Sequence, residues 1–224
     1  MRRIVITGLG AVSACGNNVE QTWQNVKNGV SCVDRITAFD PAEYAVQIAA
    51  EVKDYNLDVY GVDHKLTRKM SRFQKFLLGA SIEAVLDSGY SKETIGAEKC
   101  GIVAGVGIGL SDALENSYKK FYDPNGGVNR LPPLTAPLSL NNEAAANVSM
   151  YFGIHGPAWT ISTACASGTD SLGLALDLIR SGRIDVCLAG GTDANVTGFN
   201  IGSYQALQAL TSSFNDNPKA ASRP

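Results

Sequence analysis

A chain of 224 residues with 45% hydrophobic content is long enough to bury a core and suits one α/β domain. With 19 basic and 21 acidic residues, a net charge of −2 leaves no overall field to draw in nucleic acid or a membrane surface. Five cysteines at unpaired spacings (15, 32, 100, 165 and 187) and two histidines suggest neither a disulfide framework nor a metal site, and suit a reducing cytoplasm.

At the amino terminus Arg2-Arg3 precedes an apolar run and then Val12-Ser13-Ala14-Cys15, an order superficially like a lipoprotein signal. The run is only Ile4-Val5-Ile6 before Thr7, Gly8 and Gly10 interrupt it, too short for a secretory segment. Arg2 to Thr7 therefore reads as a buried strand followed by a glycine turn. Gly8-Leu9-Gly10 begins like a dinucleotide fingerprint, but Ser13 stands where the third glycine belongs and no helix follows at once, which argues against a bound nucleotide. Asn18 to Gln21 pairs an N-cap with a capping partner and opens a helix through Trp23 and Val26 to Gly29. Val46, Ile48, Ala50 and Val52 alternate as in a half-buried strand.

Leu66 to Ser88 carries the clearest helical period: Leu66, Met70, Phe73, Leu77, Ala80 and Ala84, with Gly89 as the stop. Lys65, Arg68, Lys69 and Arg72 fall in its first turns, where positive charge opposes the helix dipole. Such a cluster is either a solvated basic face or a dock for an acidic partner. Cys100 to Val106 reads as a strand thinned by glycines at its end, residues 122 to 137 as a loop, and Leu138 to Phe152 as a helix. Ile184 to Ala189 is a further strand, with Cys187 as inert core. Alternating strand and helix units imply a layered α/β core around a largely parallel sheet. No run of the chain is long enough to span a bilayer.

The most informative stretch lies between these elements. Gly156-Pro157 opens a short strand, Thr163-Ala164-Cys165-Ala166-Ser167-Gly168 follows, and Thr169 to Arg180 is apolar over most of its circumference, with Gly182 as the stop. This predicts strand, sharp turn and buried helix, with Cys165 at the helix's first turn. Unpaired N–H groups and the positive end of the dipole there favour the thiolate, and the same N–H groups suit an oxyanion. Small neighbours leave room for a substrate. The residues alone leave two readings open: a nucleophile, or a small buried hydrophobe.

Thr163-Ala164-Cys165-Ala166-Ser167-Gly168 and Leu188-Ala189-Gly190-Gly191-Thr192-Asp193 resemble the active-site region of the elongating β-ketoacyl-acyl-carrier-protein synthases. Arg3-Ile4-Val5-Ile6-Thr7-Gly8-Leu9-Gly10 is similar to that family's amino terminus, Gly105-Val106-Gly107-Ile108-Gly109 to its central glycine stretch, and Asn215 to Pro224 to the segment leading into its second half. The resemblance implies a thiolase-like fold of two halves, of which this chain covers one half and the opening of the second. It implies that Cys165 takes an acyl group from a carrier-protein thioester, and that malonyl-carrier-protein then loses carbon dioxide and condenses with it. By the same resemblance Ile108, Thr135, Ala164 and Tyr204 line the acyl pocket, Thr135 being offered across a homodimer interface built on the strand around Trp159 to Ser162. Lys65, Arg68 and Lys69 match positions that dock acyl carrier protein. No cofactor or metal is implied, and the setting is cytoplasmic.

In that family two histidines and a supporting lysine lie beyond the point where this sequence stops. His64 and His155 are expected in exposed loops, without a catalytic role. The chain is thus expected to be the amino-terminal part (residues 1–224) of a synthase, unable alone to complete a condensation. The competing reading is a non-catalytic chain-length-type or carrier-protein-binding subunit, which retention of Cys165 argues against. Thiolase-like degradation of a 3-oxoacyl-CoA shares the fold, but the docking charges and the Thr163-Ala164-Cys165 context disfavour it.

Overall fold

A computed structural model of the chain describes residues 2–109 and 111–222. Among the described residues the helices are Val19–Lys27 (α1), His64–Thr67 (α2), Arg72–Asp87 (α3), Lys92–Ala97 (α4), Ser111–Tyr122 (α5), Thr135–Leu138 (α6), Glu143–Phe152 (α7), Ser167–Arg180 (α8) and Gly198–Ala206 (α9). The strands are Asp34–Arg35 (β1), Ile48–Ala49 (β2), Cys100–Gly105 (β3), Ala158–Ile161 (β4) and Val186–Gly191 (β5). They form two compact units: Met1–Gly10 with Leu57–Ala194, and Ala11–Asn56 with Asn195–Pro224.

The first unit is organised on β3, all six of whose residues are buried. It lies at the centre of the order β4-β3-β5, and both pairings are parallel. A continuous apolar run suits a strand covered on both faces. Val103 joins Trp159, Ile161 and Cys187 in a cluster with Leu174, Leu178 and Ile179 of α8. Side-chain alternation sends Ile102 and Ala104 to the opposite face. There α7 packs on β3 and β4, and α3 packs on α7. The layered α/β arrangement with a parallel sheet is as expected. β5 starts two residues later than predicted, because Ile184 is spent filling the α8 cluster and the Asp185 N–H bonds the Lys99 carbonyl.

Four expectations need correction. Arg2–Thr7 is not a buried strand: it carries no ladder, and Val5 and Ile6 are exposed. A three-residue apolar run cannot hold a register by itself. The segment instead runs against α3, where Gly8 and Gly10 approach the carbonyls of Ala84 and Ala80. The helix predicted over Leu66–Ser88 is two helices, because the Gln74 amide oxygen accepts from the Ser71 N–H at 3.0 Å and starts α3 afresh. The helix predicted over Leu138–Phe152 begins only at Glu143 as α7, while Thr135–Leu138, mostly within the predicted loop, forms α6. Finally, α8 is not enclosed. It buries Ser167, Ser171, Ala175 and Leu178 in one stripe against the sheet, while Leu172 remains 54% exposed.

The second unit gathers Ile36, Val46 and Ile201 into a small core with Phe39, Tyr44, Ala49 and Val196. Its α1 begins as predicted, the Asn18 side chain accepting from the Gln21 N–H. The predicted strand shrinks to β2, paired antiparallel with β1. The buried carboxylate of Glu51 accepts from the Thr37 and Ala38 N–H groups, satisfying a turn. Asn215 ties the far end of the chain to this core, accepting from the Gln47 N–H and donating to the Ala45 carbonyl.

Candidate active site

β4 ends at Ile161 and α8 begins at Ser167; between them Ala164–Ala166 form a single 3₁₀ turn carrying Cys165. The turn is tied from both sides. Thr163 donates its N–H to Ser167 Oγ at 2.9 Å, and its hydroxyl to Asp170 on the first turn of α8 at 2.5 Å. Ser167 Oγ in turn donates to the Ala164 carbonyl at 2.7 Å. Asp170 also meets the positive end of the α8 dipole, a favourable place for a carboxylate. Ala164 takes φ +53°, the left-handed region that an alanine seldom enters. The next residue, Cys165, is exposed, and among the described residues no backbone acceptor outside its own turn is found for its N–H.

Small residues make the close packing beneath it possible. A Cβ built on Gly105, at the end of β3, would lie 2.3 Å from the Ser167 carbonyl carbon and oxygen. Gly191 of β5 meets Gly168 in the same way, and Ser171 Oγ bonds the Gly190 carbonyl at 3.0 Å. The head of α8 therefore rests directly on the carboxyl ends of β3 and β5, where open parallel sheets place their ligand sites.

Three of the other cysteines hold their protons more tightly than a free thiol does. Burial pushes the Cys100 thiol up to about 11 and the Cys187 thiol to about 12. Cys32 rises to about 11, through burial first and then the adjoining Cys15 thiol. Both histidines are exposed. His64 is the first residue of α2 rather than a loop residue; His155 lies in the turn before β4, as predicted. Four residues of strand, about 13 Å at 3.3 Å each, separate that turn from the Cys165 end of β4.

Of the pocket residues expected from sequence, two come together. Ile108 sits in the Gly107–Gly109 segment, and Gly107 lies against the Ala164 carbonyl, 3.6 Å from where its Cβ would be. Thr135 begins α6 and contacts Ser117 of α5 through its hydroxyl, at 3.4 Å. Tyr204, on α9, belongs to the second unit and is partly buried. A cavity of about 560 Å³ is present, but Cys165, Ile108, Thr135 and Ala164 do not line it. Its walls come from residues 4–10, α3, α8 and β5. Lys65, Arg68 and Lys69 are exposed and make none of the ion pairs found among the described residues. Division of the predicted helix eases the expected conflict with its dipole for Arg68, though Arg72 still opens α3. Lys65 and Arg68 belong to α2, and Arg68 occupies its C-cap, where a cation is favoured. The sequence reading had no role for Thr163, Ser167 or Asp193; only the Gly-Gly-Thr-Asp motif pointed at the last.

A family profile described as "Beta-ketoacyl synthase, N-terminal domain" matches residues 1–224. The chain belongs to that family. This synthase domain is 36% identical over 223 residues to 3-oxoacyl-[acyl-carrier-protein] synthase 2 of Staphylococcus aureus (strain COL), covering 100% of this chain and 53% of the relative. Among solved structures it resembles a β-ketoacyl synthase from Burkholderia phymatum (TM-score 0.86, 26% identity, 100% of this chain and 54% of that one). It also resembles AntDE:AntF, a type II PKS acyl-carrier protein in complex with its ketosynthase bound to the hexaketide (TM-score 0.84, 27% identity, 100% and 53%). The synthase domain thus has the thiolase-like ketosynthase fold, and spans about half the length of the relatives it matches. No helix among its described residues is long and apolar enough to cross a membrane.

Proposed function

We propose that the chain supplies the acyl-accepting half of a 3-oxoacyl-acyl-carrier-protein synthase, with Cys165 as nucleophile. The observation that carries the reading is the exposed cysteine on a strained turn at the head of α8. Cys165 thiolate attacks the thioester carbonyl, and a tetrahedral oxyanion forms against the Cys165 N–H. As the oxyanion collapses, the bond to the carrier's sulfur breaks; the carrier thiolate leaves and takes a proton from solvent. Ile108 and Ala164, beside that turn, meet the acyl chain first. Thr135 and Tyr204 are the further residues that the family resemblance assigns to the acyl chain.

Lys65, Arg68 and Lys69 supply the dock for the acidic carrier protein. Support comes from their exposure and from the carrier complex among the related structures. β4, at the edge of its sheet, pairs with the β4 of a second copy to make the homodimer, which would use the ladder groups its free edge presents. The setting is cytoplasmic.

Condensation needs a group that stabilises the enolate left when malonyl thioester loses carbon dioxide. Neither exposed histidine of this chain is built into the Cys165 turn, and the family resemblance assigns that group to two histidines of the synthase's second half. The chain mixed with acyl- and malonyl-carrier protein is therefore expected to carry the acyl group but to form no 3-oxoacyl product. Product above that of a Cys165→Ala control would overturn this division of labour.

A further inference from the structure

Asp193, two residues beyond the end of β5, makes an arrangement that the acylation step does not use. Its carboxylate accepts three consecutive backbone N–H groups: Gly107 on Oδ2 at 3.0 Å, and Ile108 and Gly109 on Oδ1 at 3.0 and 2.6 Å. Successive amides converging on one anion form a nest, and hydrogen bonds to a charged acceptor are about twice as strong as neutral ones. Thr192 anchors the carboxylate to the core: its N–H bonds the Gly105 carbonyl at 2.9 Å, and its hydroxyl the Phe73 carbonyl at 2.7 Å. A side chain at 107 would meet Asp193 Oδ2 at 2.8 Å, so glycine is needed for the carboxylate to come so close. On its other side the segment touches the nucleophile turn: Ser162 Oγ donates to the Gly107 carbonyl at 3.4 Å, and Gly107 lies against the Ala164 carbonyl.

We propose that Asp193 is a positioning residue: by clamping Gly107–Gly109 it holds Ile108 over the Cys165 turn, and so limits the length of acyl chain that reaches the sulfur. This rests on the acyl-transfer reading above. The clamp fixes Gly107, which lies against Ala164 of the turn from which Cys165 projects, and the adjoining Ile108 is 38% exposed. Without the carboxylate nothing fixes the three amides, and Ile108 can swing out of the path.

The test uses the full 224-residue chain, its Asp193→Ala and Asp193→Asn variants, and two alkylating probes of Cys165, iodoacetamide and N-dodecyl iodoacetamide. Amide hydrogen exchange at Gly107, Ile108 and Gly109 is read alongside. In the wild type the three amides are protected; in Asp193→Ala their protection falls at least about tenfold. The ratio of long-probe to short-probe rate rises at least about fivefold, while the iodoacetamide rate itself stays within about twofold. Asp193→Asn keeps an acceptor for Ile108 and Gly109 but turns a donor toward Gly107, so its ratio lies between the two; it also serves if the alanine variant fails to fold. A ratio that is unchanged or falls, or amides that exchange freely in the wild type, would overturn the proposal. A Cys165 no more reactive than free cysteine would sink the acyl-transfer reading alone, because the ratio is still measured at that sulfur and still decides the role of Asp193.

Discussion

Gly105→Ala tests how the sheet sets the position of the nucleophile. The added Cβ would stand 2.3 Å from the carbonyl carbon and oxygen of Ser167 and 2.6 Å from the Gly168 nitrogen, all of them backbone atoms. Since a Cβ contact below 3.0 Å is not tolerated, the head of α8 must retreat from β3 by at least 0.7 Å. Overpacking of this kind costs about 1–3 kcal/mol. Ser167 is two residues from Cys165 and is hydrogen-bonded to Thr163 and Ala164, so the sulfur moves with it. A misplacement of about 1 Å in a reacting group can cost about 100-fold in rate. Urea denaturation of Gly105→Ala should therefore show a stability loss in that range, and acyl transfer to Cys165, followed by intact mass, should slow at least about tenfold. Gly173→Ala is the control. It lies in the same helix with nothing within 4 Å of its would-be Cβ, and should gain up to about 1 kcal/mol from helix propensity. If Gly105→Ala melts and reacts like the wild type, the packing of α8 on the strand ends does not position Cys165.

Further outcomes follow from the same geometry. Ser167→Ala removes the acceptor of the Thr163 N–H in a part-buried site, and should lower stability by about 0.5–1.5 kcal/mol in a urea titration and slow acylation as well. Cys100 and Cys187 have folded-state pKa values near 11 and 12 against 9.0 for the free thiol, so the folded state holds their protons more tightly than the unfolded chain does. Stability is then full below pH 9 and falls as pH rises toward 11–12, a slope that Cys100→Ala and Cys187→Ala should flatten in pH-dependent melts. Replacing Lys65, Arg68 and Lys69 together by Glu should slow acylation from carrier protein at least about tenfold, and remove its salt dependence. Acylation by a small thioester such as an N-acetylcysteamine ester should be unaffected.

What could be read from the sequence was local. The Thr163–Gly168 motif foretold strand, turn and helix in that order, because small residues, a short strand and an apolar helix lie side by side in the chain; Cys165 itself sits on a 3₁₀ turn ahead of α8 rather than in the helix's first turn. β3 was legible for the same reason, as an unbroken apolar run closed by glycines. The readings that failed depended on partners elsewhere or on a cap hidden in a regular period. Ile4-Val5-Ile6 looks like a strand yet forms no ladder among the described residues. The apolar repeat through Met70 and Phe73 continues straight across the Ser71–Gln74 cap that restarts α3. Asp193 was illegible as a clamp because its three donors lie 84 to 86 residues earlier, and no local pattern joins Gly107–Gly109 to it. The strain at Ala164 likewise appears only when Ser167 and Asp170 are seen pulling Thr163 back onto α8.

The most direct measurement is the intact mass of the chain after incubation with an acyl-carrier-protein thioester, followed by peptide mapping. A primed sulfur at the head of α8 predicts a gain of a single acyl group, located at Cys165 and lost in Cys165→Ala. An unmodified chain, or an acyl group spread over Cys15 and Cys32 in preference to Cys165, would contradict it.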